Sequence, residues 1–330
     1  MWIQGGRPLI RGGRFRLDRG YNHHMVKLIT TSVVRGSEQG ESHGGVYIID
    51  IEEQDVLQVM DWNTTDIDWQ GRGWDRGLRG IAIDGKTVYI VASDELFAYT
   101  PNFKLIGSWR NPYLKHAHEM SIYGRSLYIT STGYDSILVF ELDKKQFLRA
   151  LHIDLDRFSF KGSIYDPMGD EGPLLLNKLH LNNVHTNENG MYISGTKSGG
   201  MLHFNGEAVN MSVTLPEGTH NAQPYRDGVL FNDSKADAVR YTSRSGEEDR
   251  ALKIPKYDPA DIENKGIDDT RVARQGFGRG LCLINDRIVA AGSSPSTIAL
   301  HDLQESKTLL SINLSMDIRN AIHGLELWPF

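Results

Sequence analysis

A short frame recurs along this chain and constrains its fold more than any other feature. The clearest copy is His116-Ala117-His118-Glu119-Met120-Ser121-Ile122-Tyr123-Gly124-Arg125-Ser126-Leu127-Tyr128-Ile129, which reads as strand, tight turn, strand. Arg79-Gly80-Ile81-Ala82-Ile83-Asp84-Gly85 leads in the same way into Val88-Tyr89-Ile90. His220-Asn221-Ala222-Gln223-Pro224-Tyr225-Arg226-Asp227-Gly228 leads into Val229-Leu230-Phe231, and Arg279-Gly280-Leu281 into Ile288-Val289-Ala290. His180-Leu181-Asn182-Asn183-Val184 reaches Met191-Tyr192-Ile193 through a longer turn, and His323-Gly324-Leu325-Glu326-Leu327 stands last. Every copy opens with His or Arg.

Each copy but the last is followed by further β-rich runs split by Gly, Ser, Asp and Asn, without a sustained helical period. Residues 26–60 repeat the plan but lack the opening strand, whereas 322–328 is an opening strand with nothing after it. Four strands per unit of about 40 residues is the blade of a β-propeller. The expectation is an all-β, six-bladed propeller whose first blade is completed by the C-terminal strand. The domain reading is an N-terminal arm over 1–20 and one propeller over 21–330.

The spacings between frame openings are 39, 62, 40, 59 and 44 residues. Two exceed the others by about 20 residues, and the surplus falls at 155–178 and 255–278. Both stretches, and 63–78 with Trp69 and Trp74, precede a frame opening and are expected to overhang one face. Long loops on a rigid scaffold are where function concentrates.

Inner propeller strands run along a central channel, so equivalent positions converge on the axis. Arg79, His118, His180, His220, Arg279 and His323 then form a ring, with His185 competing with His180 for the fourth place. His180 fits the other openings better. Neutral imidazoles suit a divalent transition metal such as Zn, Fe or Mn. Arginines beside it would bind an anionic group bidentately. Glu119 and Glu326 are candidates for orienting an imidazole or for a general base, although strand alternation turns the residue after a ring position away from the channel. His43 is a possible rim ligand. A hydrated channel lined by polar groups that satisfy one another is the competing interpretation.

Composition narrows the function class. The 330 residues carry 36 basic against 42 acidic side chains, a net charge of −6, so there is no nucleic-acid footprint. One cysteine, Cys282, excludes an intrachain disulfide and favours a cytoplasmic setting. No apolar run approaches a membrane span. No phosphate loop, dinucleotide fingerprint or serine-nucleophile elbow is present.

His180-Leu-Asn-Asn-Val, His220-Asn-Ala-Gln-Pro-Tyr-Arg-Asp-Gly-Val-Leu and Gly278-Arg279-Gly280-Leu281-Cys282 resemble the successive signatures of an uncharacterised bacterial propeller family. That family is allied to the gluconolactonase and strictosidine-synthase-like propellers, and the resemblance covers roughly 75–327. The gluconolactonase branch implies a metal held by Glu, Asn and Asp, a set this ring does not match. The peptidylglycine amidating lyases look closer in chemistry. By that analogy His118, His180, His220 and His323 hold a metal while Arg79 or Arg279 contacts substrate. The functional expectation is a metal-dependent lyase or hydrolase acting on a small anionic substrate. The alternative is a non-catalytic binding scaffold.

Overall fold

A computed structural model describes residues 9–11, 26–38, 40–63, 77–157, 159–264 and 274–330. The chain is an all-β, six-bladed β-propeller. Blade one is built from Asn320–Trp328, Lys27–Val34, Gly44–Asp50 and Asp55–Asp61, in that order from the axis outward. The C-terminal strand therefore closes the circle, pairing from Lys27↔Trp328 to Val34↔Asn320. Blades two, four and five are plain four-stranded antiparallel sheets opening with Leu78–Asp84, Leu181–Asn187 and Thr219–Tyr225.

Blades three and six each carry a fifth, outermost strand. In blade three it is Ser159–Tyr165, which folds back on the eleven-residue strand Gln146–Asp156. This part of the long 155–178 stretch is thus sheet, not an overhanging loop. In blade six it is Leu9–Arg11, which pairs with Lys307–Asn313, so three residues of the expected arm join a blade. The remainder of that arm, most of the 63–78 loop with Trp69 and Trp74, and 265–273 lie outside the described residues.

Alternating apolar residues form the core between neighbouring blades. Ile129, Leu138 and Phe140 of blade three pack with Val91, Leu96 and Ala98 of blade two in one cluster, and Ile322 and Leu325 join blade one to blade six in another. Burying each such side chain contributes roughly 1.5–3 kcal/mol. Polar groups near the axis fix the blades' relative placement. Thr31 Oγ1 donates to the Arg79 carbonyl at 2.5 Å, Thr132 Oγ1 to Leu181 at 2.5 Å, Asn182 Nδ2 to Thr219 at 3.2 Å and Ser234 Oγ to Gly278 at 2.9 Å. Each bond crosses from one blade to the next.

Candidate functional site

At the ring position the inner strands depart from regular pairing. Register shifts fall between Leu78 and Ile81, Leu181 and Asn183, and His220 and Gln223, and opposite His323 and Gly324 in blade one. In blade six Arg279 N–H donates to Gly292 O while Gly292 N–H donates to Gly280 O, the same two-against-one arrangement. In blade three the Thr130 hydroxyl receives both the His118 and Glu119 N–H groups at 3.0 Å. A bulge of this kind lets two consecutive residues face one side of a strand.

Outside blade four, a residue at or next to each bulge contributes to the ring. The His118 ring centroid lies 5.5 Å from that of His180 and 6.0 Å from that of His323. Arg79 Nη1 is 2.9 Å from His118 Nε2, and Arg279 Nη1 is 3.4 Å from His323 Nε2. His118, His220, His323 and Arg79 are all buried, while His180 and Arg279 keep partial exposure. The charge of Arg279 acts on His220, and His180 lies within electrostatic reach of the same ring. The six expected residues therefore gather in one electropositive layer.

Blade four reaches this layer differently. The ladder position equivalent to the other ring residues is held by Asn182, and His180 enters from the segment before the strand, at a left-handed φ of 54°. Asn177 Oδ1, 3.0 Å from its Nδ1, orients it. His185 lines the channel further along, away from the ring, so His180 is the histidine of this layer.

Two of the imidazoles are supported identically. His118 Nδ1–H donates to the His116 carbonyl at 2.7 Å and to Thr132 Oγ1 at 2.8 Å. His220 Nδ1–H donates to the Gly218 carbonyl at 2.9 Å and to Ser234 Oγ at 2.9 Å. A carbonyl only accepts, so in both rings the proton is on Nδ1 and the Nε2 lone pair is presented to the layer. On His118 it receives Arg79; on His220 it is buried and has no hydrogen-bond partner among the described residues. Burial, then the charge of Arg79 for His118 and of Arg279 for His220 and His323, pushes these three histidines well below the ordinary imidazole range. Burial followed by Arg279 and Arg79 takes His180 down to about 3. All four are neutral at pH 7.

Glu119 and Glu326 face a different level of the channel. With His185, Asn221, Gln223 and Cys282 they line a cavity of about 440 Å3 to which all six inner strands contribute. The expectation from alternation, that Glu119 turns away from the channel, is corrected: the bulge at His118 and Glu119 brings both inward. Asn221 Nδ2, reaching across from blade five, donates to Glu119 Oε1 at 3.1 Å. Burial raises Glu119 to about 8, against that hydrogen bond, and raises Glu326 to about 7.

Arg35 and Phe277 complete the layer and were not singled out by the repeat. The guanidinium carbons of Arg279 and Arg35 lie 4.5 and 4.8 Å from the Phe277 ring centre, and the His220 ring lies 6.0 Å from it. Phe277 has a left-handed φ of 53° and its N–H is held by Asp237 Oδ1 at 3.2 Å. The available sequence signal was the Gly276-Phe277-Gly278 run directly before a ring arginine. His43 is buried, with Nδ1 2.5 Å from Ser37 Oγ. Among the described residues, no three side chains of His, Cys, Asp or Glu are arranged to hold a metal ion.

No protein-family model matches this sequence, and no curated protein matches it at a significant level. Solved structures do share its fold. A chain of a nidogen/laminin complex superposes with a TM-score of 0.55 at 10% identity, over 91% of this chain and 98% of that one. A protein of unknown function from Bacteroides caccae gives 0.56 at 12% identity, over 93% and 100%. At these identities the likeness is one of fold alone, and function has to be argued from the site. Among the described residues, no helix is long and apolar enough to cross a membrane.

Proposed function

We propose that the ring binds a small anionic ligand, with Arg79 and Arg279 supplying the charge and the neutral histidines supplying hydrogen-bond and proton-accepting groups. One observation carries this reading: guanidinium groups from blades two and six, on either side of blade one, meet neutral imidazoles within a buried layer. A guanidinium in low dielectric attracts a carboxylate, sulfate or phosphate far more strongly than it would in water. The unpartnered Nε2 of His220 is a proton acceptor beside such a ligand, which supports turnover as well as binding. Glu119, one level away, lies within electrostatic reach of Arg279 and Arg79.

A divalent metal held by His118, His180, His220 and His323 is a second reading. It is favoured by the Nδ1–H bonds to backbone carbonyls, the arrangement that fixes imidazoles for ligation through Nε2. It requires the Arg79 and Arg279 contacts to His118 and His323 to open, because those contacts occupy two of the four lone pairs. With the ring as it stands the residues do not form a metal cage. The lyase or hydrolase chemistry implied by the channel's resemblance to amidating lyases belongs to this second reading.

Titration calorimetry with acetate, sulfate and phosphate tests the first reading. At least one of these anions binds the intact protein. The paired substitution Arg79→Gln and Arg279→Gln weakens that binding at least tenfold while the protein still melts cooperatively. Binding unaffected by the substitution contradicts the reading. Near-stoichiometric transition metal in the purified protein, lost on His118→Ala with His220→Ala, favours the metal.

A further inference from the structure

A third guanidinium reaches the ring from outside the repeat. Arg35 directly follows the strand Lys27–Val34, and its N–H donates to the Arg319 carbonyl at 2.9 Å. Ser32 pairs with Ile322 and Val34 with Asn320, so Arg35 lies past the level of His323, on the side from which the inner strand enters. It is buried, as Arg79 is. Burial first, and then the charges of Arg279, Arg79 and Arg35, lower His323, so one imidazole lies within electrostatic reach of all three guanidinium groups. Arg35 is within the same reach of His220.

Phe277 ties Arg35 to Arg279. Their guanidinium carbons lie 4.8 and 4.5 Å from its ring centre. Attraction to an aromatic face places a guanidinium without cancelling its charge, unlike an ion pair. Arg274 is the contrast. Its guanidinium carbon is 5.2 Å from the same ring, but its Nη1 is 2.6 Å from Asp237 Oδ1 and donates to the Gln275 carbonyl at 3.0 Å. Asp237 Oδ1 also accepts the Phe277 N–H at 3.2 Å. Gly276, at a left-handed φ of 83°, lets the chain pass Asp237 closely. Arg274 and Asp237 are therefore the fixture that holds the Phe277 ring in place. Arg35 and Arg279 are the two cations that this ring presents to the layer.

The four histidines add no positive charge at pH 7, so the cationic character of the layer comes from its guanidinium groups. Taking a dianion out of water costs more than taking a monoanion, and only several fixed positive charges around it offset that cost. Three arginines in one layer are such a set. We propose that Arg35 is a third anion-binding residue of the ring and that the ligand carries a tetrahedral dianion of the phosphate-monoester kind. This rests on the anion reading of the ring and names the class of anion. Guanidinium groups form forked pairs with phosphoryl oxygens, and three terminal oxygens offer a pair to each arginine. A carboxylate has one such pair and one charge.

Calorimetry at pH 7.5 with methyl phosphate and methyl sulfate tests the proposal, since the two share a shape and differ by one negative charge. The intact protein binds methyl phosphate roughly tenfold or more tighter than methyl sulfate. Arg35→Gln reduces that ratio to about threefold or less, whereas Arg35→Lys, which keeps the charge, retains most of it. Equal affinity of the intact protein for the two ligands overturns the proposal. So does a ratio unchanged by Arg35→Gln, or one lost as fully in Arg35→Lys. A crystal of the intact protein with methyl phosphate reads the same claim without a substitution. A phosphoryl oxygen within hydrogen-bonding reach of Arg35 supports it, and a phosphoryl group held by Arg79 and Arg279 alone overturns it. If neither ligand binds, or if Arg79→Gln with Arg279→Gln has no effect on binding, it is the ring reading that has failed.

Discussion

Deleting residues 320–330 abolishes cooperative folding. The strand Asn320–Trp328 is the sole inner partner of Lys27–Val34, whose side chains from Leu28 to Val34 are all buried. Removing it exposes an apolar, unpaired edge of the kind that templates aggregation. It also removes Ile322 and Leu325 from the contact between blades one and six, and with them Gly324, which accepts from Thr30 Oγ1 and donates to Thr31 Oγ1, both at 2.8 Å. Thr31 Oγ1 in turn donates to the Arg79 carbonyl, so the loss propagates into blade two. The milder substitution Ile322→Ala, at a fully buried site, costs about 2–5 kcal/mol and keeps the fold. Near-ultraviolet circular dichroism and a thermal melt read both variants. A deletion variant that melts cooperatively within a few degrees of the full chain would contradict circular closure.

The second large effect is loss of stability in acid. His118, His180, His185, His220, His301 and His323 all have folded-state values below the ordinary imidazole value of 6.5, with burial the first cause in each case. Depressed imidazoles contribute stability that is present above pH 6.5 and lost as pH falls toward the folded values, about 4 for His301 and about 3 for His180. Between pH 7 and 5 each fully buried histidine removes up to about 2 kcal/mol. Glu119 and Glu326 act in the other direction. Their raised values give stability that is fully present below about pH 4.5 and lost as pH rises through about 7 and 8. Two carboxyls oppose six imidazoles, so the fall in melting temperature from pH 7 to 5 exceeds the fall from pH 7 to 9. Glu119→Gln keeps the neutral shape and flattens the alkaline limb. A melting temperature that is constant between pH 7 and 5 would show that these imidazoles are not buried as described.

Blade count and closure were legible because the strand–turn–strand frame repeats and because 26–60 and 322–328 are complementary fragments of one blade. Five of the six ring residues were legible for the same reason: Arg79, His118, His220, Arg279 and His323 occupy equivalent ladder positions. The fourth blade was not, because equivalence there is set by hydrogen bonding. Asn182 takes the ladder place while His180 enters from a turn of left-handed backbone. The inward direction of Glu119 was hidden for a related reason. A bulge breaks the two-residue alternation, and periodicity alone carries no trace of it. Its indirect signal is the glycine after the ring residue at Gly80, Gly280 and Gly324. A Cβ on these would fall 2.7, 2.5 and 2.3 Å from the carbonyl oxygens of His118, His323 and Arg79. Arg35 and Phe277 come from loops outside the repeat, so no internal comparison finds them. Leu174, Leu175 and Leu176 lie inside a stretch already marked as an insertion, but their exposure to solvent depends on tertiary anchors at Asn111, Tyr113 and Asp135.

A crystal structure of the protein soaked in selenate, read by anomalous scattering, tests the central claim most directly. The account predicts a selenium peak on the propeller axis within hydrogen-bonding reach of both Arg79 and Arg279, with the His220 ring beside it. A metal ion bonded to the histidine Nε2 atoms with both arginines turned away would contradict it, as would ring side chains held too far apart to share one ion.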